Sequence, residues 1–269
     1  MRARSALFDV YGDLLPTRDD RATVAGLVRL LQPVGIAAPA VRTAISRMVT
    51  QGWLEPVLLE EGRGYAATEQ AVRRLARAAQ RIYRVHPRQW DGRWQLVLVS
   101  GPSSRTQRAR LQRELGYLGY AELRPYSWLS PHPHEELAEV LERCETEAVF
   151  ASVATFDPPE TPLGCWDLDG LARAYEEWMA SATESVGRHL SLHADPDEGA
   201  FAARFHLVHE WRKFLFADPG LPGELLPSDW PGHRAARFFA DEAERLRAPS
   251  ERFVARALAR PEPELTPEP

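Results

Sequence analysis

Apolar residues recur at helical spacing through the first fifty positions, in three blocks punctuated by proline and glycine. SALFDVYGDLL, residues 5–15, reads as a short helix with Ser5 as its N-cap and Pro16 as its stop. TVAGLVRLLQ, residues 23–32, places Val24, Leu27, Val28 and Leu31 on one face and ends at Pro33 and Gly35. A third helix runs from Pro39, well suited to a first helical position, through Thr50, and Gly52 closes it. Val41, Ala44, Ile45, Met48 and Val49 form its apolar stripe. The pattern then changes: WLEPVLLEEGRGYAAT reads as two short strands around a turn at Gly62-Arg63-Gly64. Thr68 is an N-cap for a helix through Tyr83, with Val72, Leu75, Ala76, Ala79 and Ile82 inward. Three helices, a hairpin and a further helix are the order of a winged helix-turn-helix over residues 1–85.

After a linker at 86–92, the pattern alternates between strand and helix. RWQLVLVS reads as a buried strand, TQRARLQRELGYLGY as a helix ended by Gly116 or Gly119, and AELRPYSWLSP as strand-like. PHEELAEVLERCE is helical and AVFASVATF is a strand. This order predicts a small ferredoxin-like α+β unit over 93–157. Pro158, Pro159 and Pro162 mark the next boundary. Residues 163–260 are mainly helical, with one stripe of Leu168, Leu171, Ala172, Tyr175, Met179 and Ala182 and another of Phe201, Phe205, Val208, Trp211 and Leu215. PEPELTPEP, 261–269, has the composition of a disordered tail. The fold class expected is therefore α+β and multidomain.

The 269-residue chain carries a net charge of −5, yet residues 1–85 hold 13 arginines against 8 acidic residues. A basic first third on an acidic body is the asymmetry of a chain in which one domain meets phosphate. The third helix sharpens this, because its outer face presents Arg42, Thr43, Ser46, Arg47 and Thr50. Arginine bridges guanine O6 and N7, and hydroxyls reach base edges or phosphate oxygens. Arg63 at the hairpin turn would reach the minor groove or flanking phosphates, although Glu60 and Glu61 beside it repel them. No apolar run approaches the roughly 20 residues of a membrane span. Cys144 and Cys165 have no metal-knuckle spacing. A cytoplasmic protein is expected.

Several stretches together resemble a known family: SALFDVYGDLL, VRTAISRMVTQGWL, WDGRWQLVLV, LGY with SWLSP, and VHEWRKFLFADPGLPGELLPSDWPG. They are similar to the phenylacetic-acid-degradation repressors, the PaaX-like regulators, from about Ser5 to about Leu258. The resemblance implies a DNA-binding winged helix, a central ferredoxin-like domain similar to Cas2, and a helical C-terminal domain. It also implies a homodimer, and release from operator DNA by an aryl-CoA thioester, typically phenylacetyl-CoA. Arg42, Thr43, Ser46 and Arg47 fall on the family's VRTA-SR recognition motif, while the wing GRGYAAT is close without being identical.

Catalytic motifs are sparse. The first central strand ends at Ser100-Gly101-Pro102 without the aspartate that Cas2 nucleases use to bind a metal. Ser103, Ser104 and Ser130 lie in no GxSxG elbow, and no phosphate-cradling glycine loop occurs. An enzyme acting on an acyl-CoA, with the winged helix as an interaction module, is the alternative class. His206, His209, Glu210 and Lys213 share a helix face, but HxxHE is not a zincin arrangement, and neither a metal nor a cofactor is expected. His209, Arg212 and Lys213 offer donors to a thioester carbonyl or phosphate, and Arg105 and Arg108 to the phosphates of a CoA ligand. His132-Pro133-His134 reads as a turn.

Overall fold

The computed structural model describes residues 1–83, 89–101 and 104–259. The tail expected at 261–269, residues 86–88 of the expected linker, and Ser103 lie outside the described residues.

Helix α1 spans Ala3–Asp9 and continues as a π-helical turn, Val10–Leu14. Its N-cap is Arg2, so Ser5 lies inside the helix rather than capping it. A hydroxyl cap is worth only about 1 kcal/mol, and the added residue Ala3 packs against the core instead. A 3₁₀ turn, Pro16–Arg18, leads to a strand the apolar pattern does not announce, β1, Arg21–Thr23. The Thr23 hydroxyl accepts from the Gly26 N–H at 3.0 Å, starting α2, Val24–Leu31. Helix α3 spans Ala38–Thr50, and the hairpin is β2, Leu54–Leu59, with β3, Gly62–Ala67. Thr68 caps α4, Glu69–Ile82, through the Ala71 N–H at 3.3 Å. Of the α4 stripe, Val72, Leu75, Ala79 and Ile82 are half-buried and Ala76 is exposed; Ala71 is the buried position.

The three strands form an antiparallel sheet in the order β1-β3-β2. Leu59 faces Gly62, so the turn is Glu60-Glu61, and Arg63 lies within β3 opposite Leu58 rather than at the tip. The glycines explain the displacement. Gly62, at φ 123°, leaves the turn in a conformation closed to most side chains. Gly64 serves the sheet instead: a Cβ there would stand 2.6 Å from the Ala22 carbonyl of β1.

The central segment holds β4, Trp94–Val99; α5, Arg105–Tyr117; β5, Ala121–Arg124; β6, Ser127–Ser130; α6, Leu137–Arg143; and β7, Ala148–Val153. The sheet is antiparallel in the order β5-β6-β4-β7. That is the ferredoxin-like β-α-β-β-α-β topology. The single strand-like run AELRPYSWLSP is a hairpin, turned at Tyr126 with φ 67°. Val97, Val99 and Trp128 of the sheet bury against Leu111 and Leu115 of α5 and Val140 and Leu141 of α6.

The remaining helices are α7, Leu168–Leu192; α8, Pro196–Trp211; α9, Phe214–Ala217; α10, Pro231–Arg245; and α11, Arg247–Ala259. Leu171, Tyr175 and Ala182 are buried as the pattern predicts, as are Phe201, Phe205, Val208 and Trp211. Leu215 is buried too, but on α9, because α8 ends at Trp211.

Two compact units result. The first comprises residues 1–83, 178–212 and 236–259, the second the described residues of 84–177 together with 213–235. In the first, Ala6, Leu7, Val10, Leu27, Leu30, Val41, Ile45 and Met48 share one core with Phe201 and Phe205 of α8 and Phe253 and Val254 of α11. Trp178 packs there on Trp211, with ring centroids 4.7 Å apart. In the second, Tyr175 stacks on Phe214 at 4.1 Å and donates its hydroxyl to Asp218 at 2.5 Å. Replacing Gly64 by Ala should push β1 from β3 and cost about 1–3 kcal/mol, read as a lower urea midpoint with an unchanged m-value.

Candidate functional site

Helix α3 separates its faces as its sequence demands. Val41, Ala44, Ile45 and Met48 are buried and Val49 is half-buried, whereas Arg42, Thr43, Ser46, Arg47 and Thr50 are all exposed. Thr43 and Thr50 donate to the carbonyls of Pro39 and Ser46 at 2.9 and 3.1 Å, leaving their oxygen lone pairs outward. Among the described residues, Arg42, Arg47 and Arg63 have no carboxylate within ion-pair distance. Their guanidiniums are free to meet an external anion. Arg63 is exposed on β3, separated by Gly62 from the acidic turn Glu60-Glu61.

The candidate effector residues divide differently. His209 and Arg212, at the end of α8, both engage Asp9 of α1: His209 Nδ1 lies 2.6 Å from one carboxylate oxygen, and an Arg212 NH1 proton is donated to the other. The Asp9 side chain is 2% exposed. Lys213 is exposed in the second unit, its ammonium 5.3 Å from the Phe214 ring centroid. Arg105 is exposed at the start of α5, and Arg108, half-buried, lies over Tyr126 at 5.6 Å and 3.4 Å from Glu122. The structure therefore joins His209 with Arg212, and places Arg105, Arg108 and Lys213 in the other unit.

A second carboxylate extends the α1–α8 contact. Asp13 accepts from both terminal nitrogens of Arg204 and from the Tyr83 hydroxyl. Burial opposes the Arg204 charge, but the Asp13 carboxylate outweighs it and raises the pKa overall. Burial also raises the Tyr83 pKa, with Asp13 adding to it, so Tyr83 is a neutral donor. Trp211 Nε1 donates to the Ile82 carbonyl at 3.0 Å, tying the end of α4 to α8 as well. Sequence reasoning passes over Asp9, Asp13, Arg204 and Tyr83. No local spacing signals them: Asp9 and Asp13 are four residues apart, about one helical turn, whereas Arg204 and Arg212 are eight apart, about two.

Beside this network His206 stacks on His189, ring centroids 4.2 Å apart and 11° from parallel. Burial, then the neighbouring His189, His209, amino terminus and Arg188, lowers the His206 pKa to about 4. Among the described residues no group of three or more metal-ligating side chains occurs, and no helix is long and apolar enough to cross a membrane.

Models of known families match three consecutive stretches: "PaaX-like protein" at residues 2–71, "PaaX protein central Cas2-like domain" at 87–162, and "PaaX-like protein C-terminal domain" at 166–256. The Transcriptional repressor PaaX of Escherichia coli (strain K12) is 30% identical over 264 residues, covering 93% of this chain and 82% of that protein. The chain belongs to the PaaX-like family. Its central match coincides with the ferredoxin-like sheet and extends to the residues after β7. The family's ranges divide the PaaX-like chain along its sequence, whereas the compact units combine its C-terminal helices with both earlier segments. Among solved structures, the uncharacterized protein Rv0674 from Mycobacterium tuberculosis is similar, with TM-score 0.55 and 28% identity over 92% of this chain and 98% of that one.

The α1–α8 contact makes two effects measurable. Asp9→Ala strands a guanidinium beside a buried site and should cost about 3–5 kcal/mol, read by chemical denaturation, with Asp9→Asn intermediate. His206 binds its proton less readily folded than unfolded, where its pKa is near 6.5. Its contribution is complete above that value and is lost as the pH falls from 6.5 toward 4. After allowance for solvent screening it amounts to about 1–2 kcal/mol. Subtracting the stability–pH curve of His206→Gln from that of the wild type isolates the effect; parallel curves would refute it.

Proposed function

We propose that this PaaX-like protein is a cytoplasmic DNA-binding transcriptional repressor of an aromatic-acid, phenylacetate-type, catabolic operon. The observation that carries the reading is the outer face of α3: five polar residues in the register of a recognition helix, with Arg42 and Arg47 free of carboxylates. Residues 1–85 act as a winged helix-turn-helix, with α2 and α3 as the helix pair and β2–β3 as the wing. Arg42 and Arg47 donate bidentately to guanine edges in the major groove, where a helix fits. Thr43, Ser46 and Thr50 hydroxyls contact bases or phosphates, and Arg63 contacts the backbone from the side of the wing. The name of the E. coli relative supports repression as the mode.

The protein works as a homodimer, because one such helix reads only a few base pairs and two-fold symmetry doubles the site. The chain divides its work among three segments, with DNA reading at 1–85, a Cas2-like domain at 93–157 and a helical C-terminal domain at 163–260. An aryl-CoA thioester, phenylacetyl-CoA in the first instance, releases the DNA by binding the free form more tightly than the bound form. Arg105, Arg108 and Lys213 are its candidate phosphate donors. His209 and Arg212 already share Asp9, so an effector that drew on them would couple to the seat of α1.

The test is an anisotropy titration against duplex DNA from upstream of the protein's own gene, with and without phenylacetyl-CoA. Tight binding reversed by the thioester is the expected result. Arg47→Ala should weaken specific binding by about 10- to 100-fold, the worth of one bidentate base contact, while leaving the thermal midpoint unchanged. A wild-type protein without specific sites there or anywhere in its genome overturns the proposal.

A further inference from the structure

Two arginines outside the α3 face are held over aromatic rings. The Arg4 guanidinium carbon of α1 stands 5.4 Å from the Phe8 ring centroid, and that of Arg74 in α4 stands 5.5 Å from the Trp53 ring. Phe8 and Trp53 themselves meet edge to face, centroids 4.7 Å apart and planes at 79°. The four residues thus form one unit: an aromatic pair with a guanidinium over each ring. Both arginines are exposed, and among the described residues neither has a carboxylate within ion-pair distance. Arg73, next to Arg74, is paired with Glu69 at 2.5 Å, so Arg74 is the free cation of the two.

The unit is anchored to the end of the candidate recognition helix. Trp53 N–H donates to the Met48 carbonyl of α3 at 2.9 Å, and the Trp53 carbonyl accepts from Thr68 N–H at 3.1 Å, just before α4. Thr68 Oγ1 donates to the Gly52 carbonyl at 2.8 Å. Phe8 lies on α1, which packs along α3. Arg4 and Arg74 are therefore fixed relative to the C-terminal end of α3, whose last exposed residue is Thr50.

A guanidinium held over an aromatic ring keeps its charge and its N–H donors, and loses less freedom when it meets an anion. We infer that Arg4 and Arg74 form a phosphate clamp that grips the DNA backbone beside the groove α3 enters. Phe8 and Trp53 are its positioning residues. The clamp rests on the DNA-binding reading above and adds to it a sequence-independent contact surface, distinct from the bases read by Arg42 and Arg47. Backbone contacts fix the register of a reader on the duplex and carry no sequence information themselves.

The experiment measures the salt dependence of binding of the full chain to the specific duplex and to a random-sequence duplex, for wild type, R4Q/R74Q and R47A. Each lost phosphate contact lowers the slope of log K against log salt by about 0.9. R4Q/R74Q should lower it by about 2 on both duplexes, weaken both by similar factors, and leave their affinity ratio unchanged. R47A should reduce that ratio instead. W53L, with both arginines kept, should weaken binding to both duplexes with their ratio unchanged, while R4K/R74K should retain most of the slope. If R4Q/R74Q keeps the wild-type slope and affinity while R47A loses specificity, the clamp is wrong and the DNA reading stands. If the wild type shows no salt-dependent binding, the DNA reading fails and the clamp fails with it. Thermal melts keep the outcomes separate from folding: a merely structural role moves the midpoint without moving the slope.

Discussion

Two carboxylates on the first helix, Asp9 and Asp13, pin its register along α8 in the first compact unit. A carboxylate taken out of water must be matched by a cation and its hydrogen bonds, or its burial costs several kcal/mol. Asp9 meets His209 and Arg212, and Asp13 meets Arg204 and Tyr83, so α1 lies antiparallel along α8 in one register. Sliding by a single turn would take both acids away from these partners. On its other side α1 sends Ala6, Leu7 and Val10 into the core that Val41 and Ile45 of α3 share. The orientation of α3 is thus set by apolar packing on a helix whose own position is set by charge. Apolar surfaces tolerate small slips; a paired buried carboxylate does not.

The arginines of the chain divide into two populations with different physical duties. Arg204 and Arg212 are partly or wholly withdrawn from solvent and spend their donors on buried acids. Arg252 and Arg256 hold Asp197 and Asp195 at 2.6 Å, joining α11 to the start of α8. Arg42, Arg47, Arg4 and Arg74 stand exposed without such partners. An exposed ion pair contributes only about 0–1 kcal/mol, so leaving these four unpaired costs the fold almost nothing. It spares an incoming phosphate or base the work of displacing a carboxylate. The N-terminal excess of arginine therefore understates the contrast, because what matters for an anionic partner is which guanidiniums remain uncommitted.

Where periodicity and capping act locally, the chain is readable from its residues. The buried and exposed faces of α3, the Thr68 cap, the central strand-helix order and the Phe201, Phe205, Val208 stripe all follow from spacing. The missed β5–β6 hairpin turns locally at Tyr126, but several other departures are decided by partners distant in sequence. Strand β1 has three residues and exists because Gly64 lets Ala22 approach β3. The turn falls at Glu60-Glu61 since both glycines are needed elsewhere, one for its φ and one for that approach. Ser5 sits inside α1, because Ala3 has core to pack against. Asp9 and Asp13 look like solvent-facing helix residues, and only a segment about two hundred positions later makes them interior. Among the candidate site residues, those on α3 lie where the amphipathic pattern puts them, since one helix suffices to define its own outer face. By sequence His209 and Arg212 are free donors, because nothing local reveals that Asp9 occupies them.

The acidic turn bears on how the candidate interface is oriented. Glu60 and Glu61 occupy the tip of the β2–β3 hairpin, and Arg63 is on the strand beside it. Two negative charges against one positive charge make that tip repulsive to a phosphate backbone at close range. On the proposed DNA-binding reading, that charge disfavours inserting the hairpin end between phosphates and favours turning the Arg63 flank inward. The attractive surface is then α3 itself, together with the cations at its C-terminal end on α1 and α4. On that reading the groups proposed to read bases and grip the backbone are all referred to one helix, whose seat depends on α1. On the proposed function, a ligand that drew His209 or Arg212 from Asp9 would act on the outer face of α3 through α1, with no need for a separate relay.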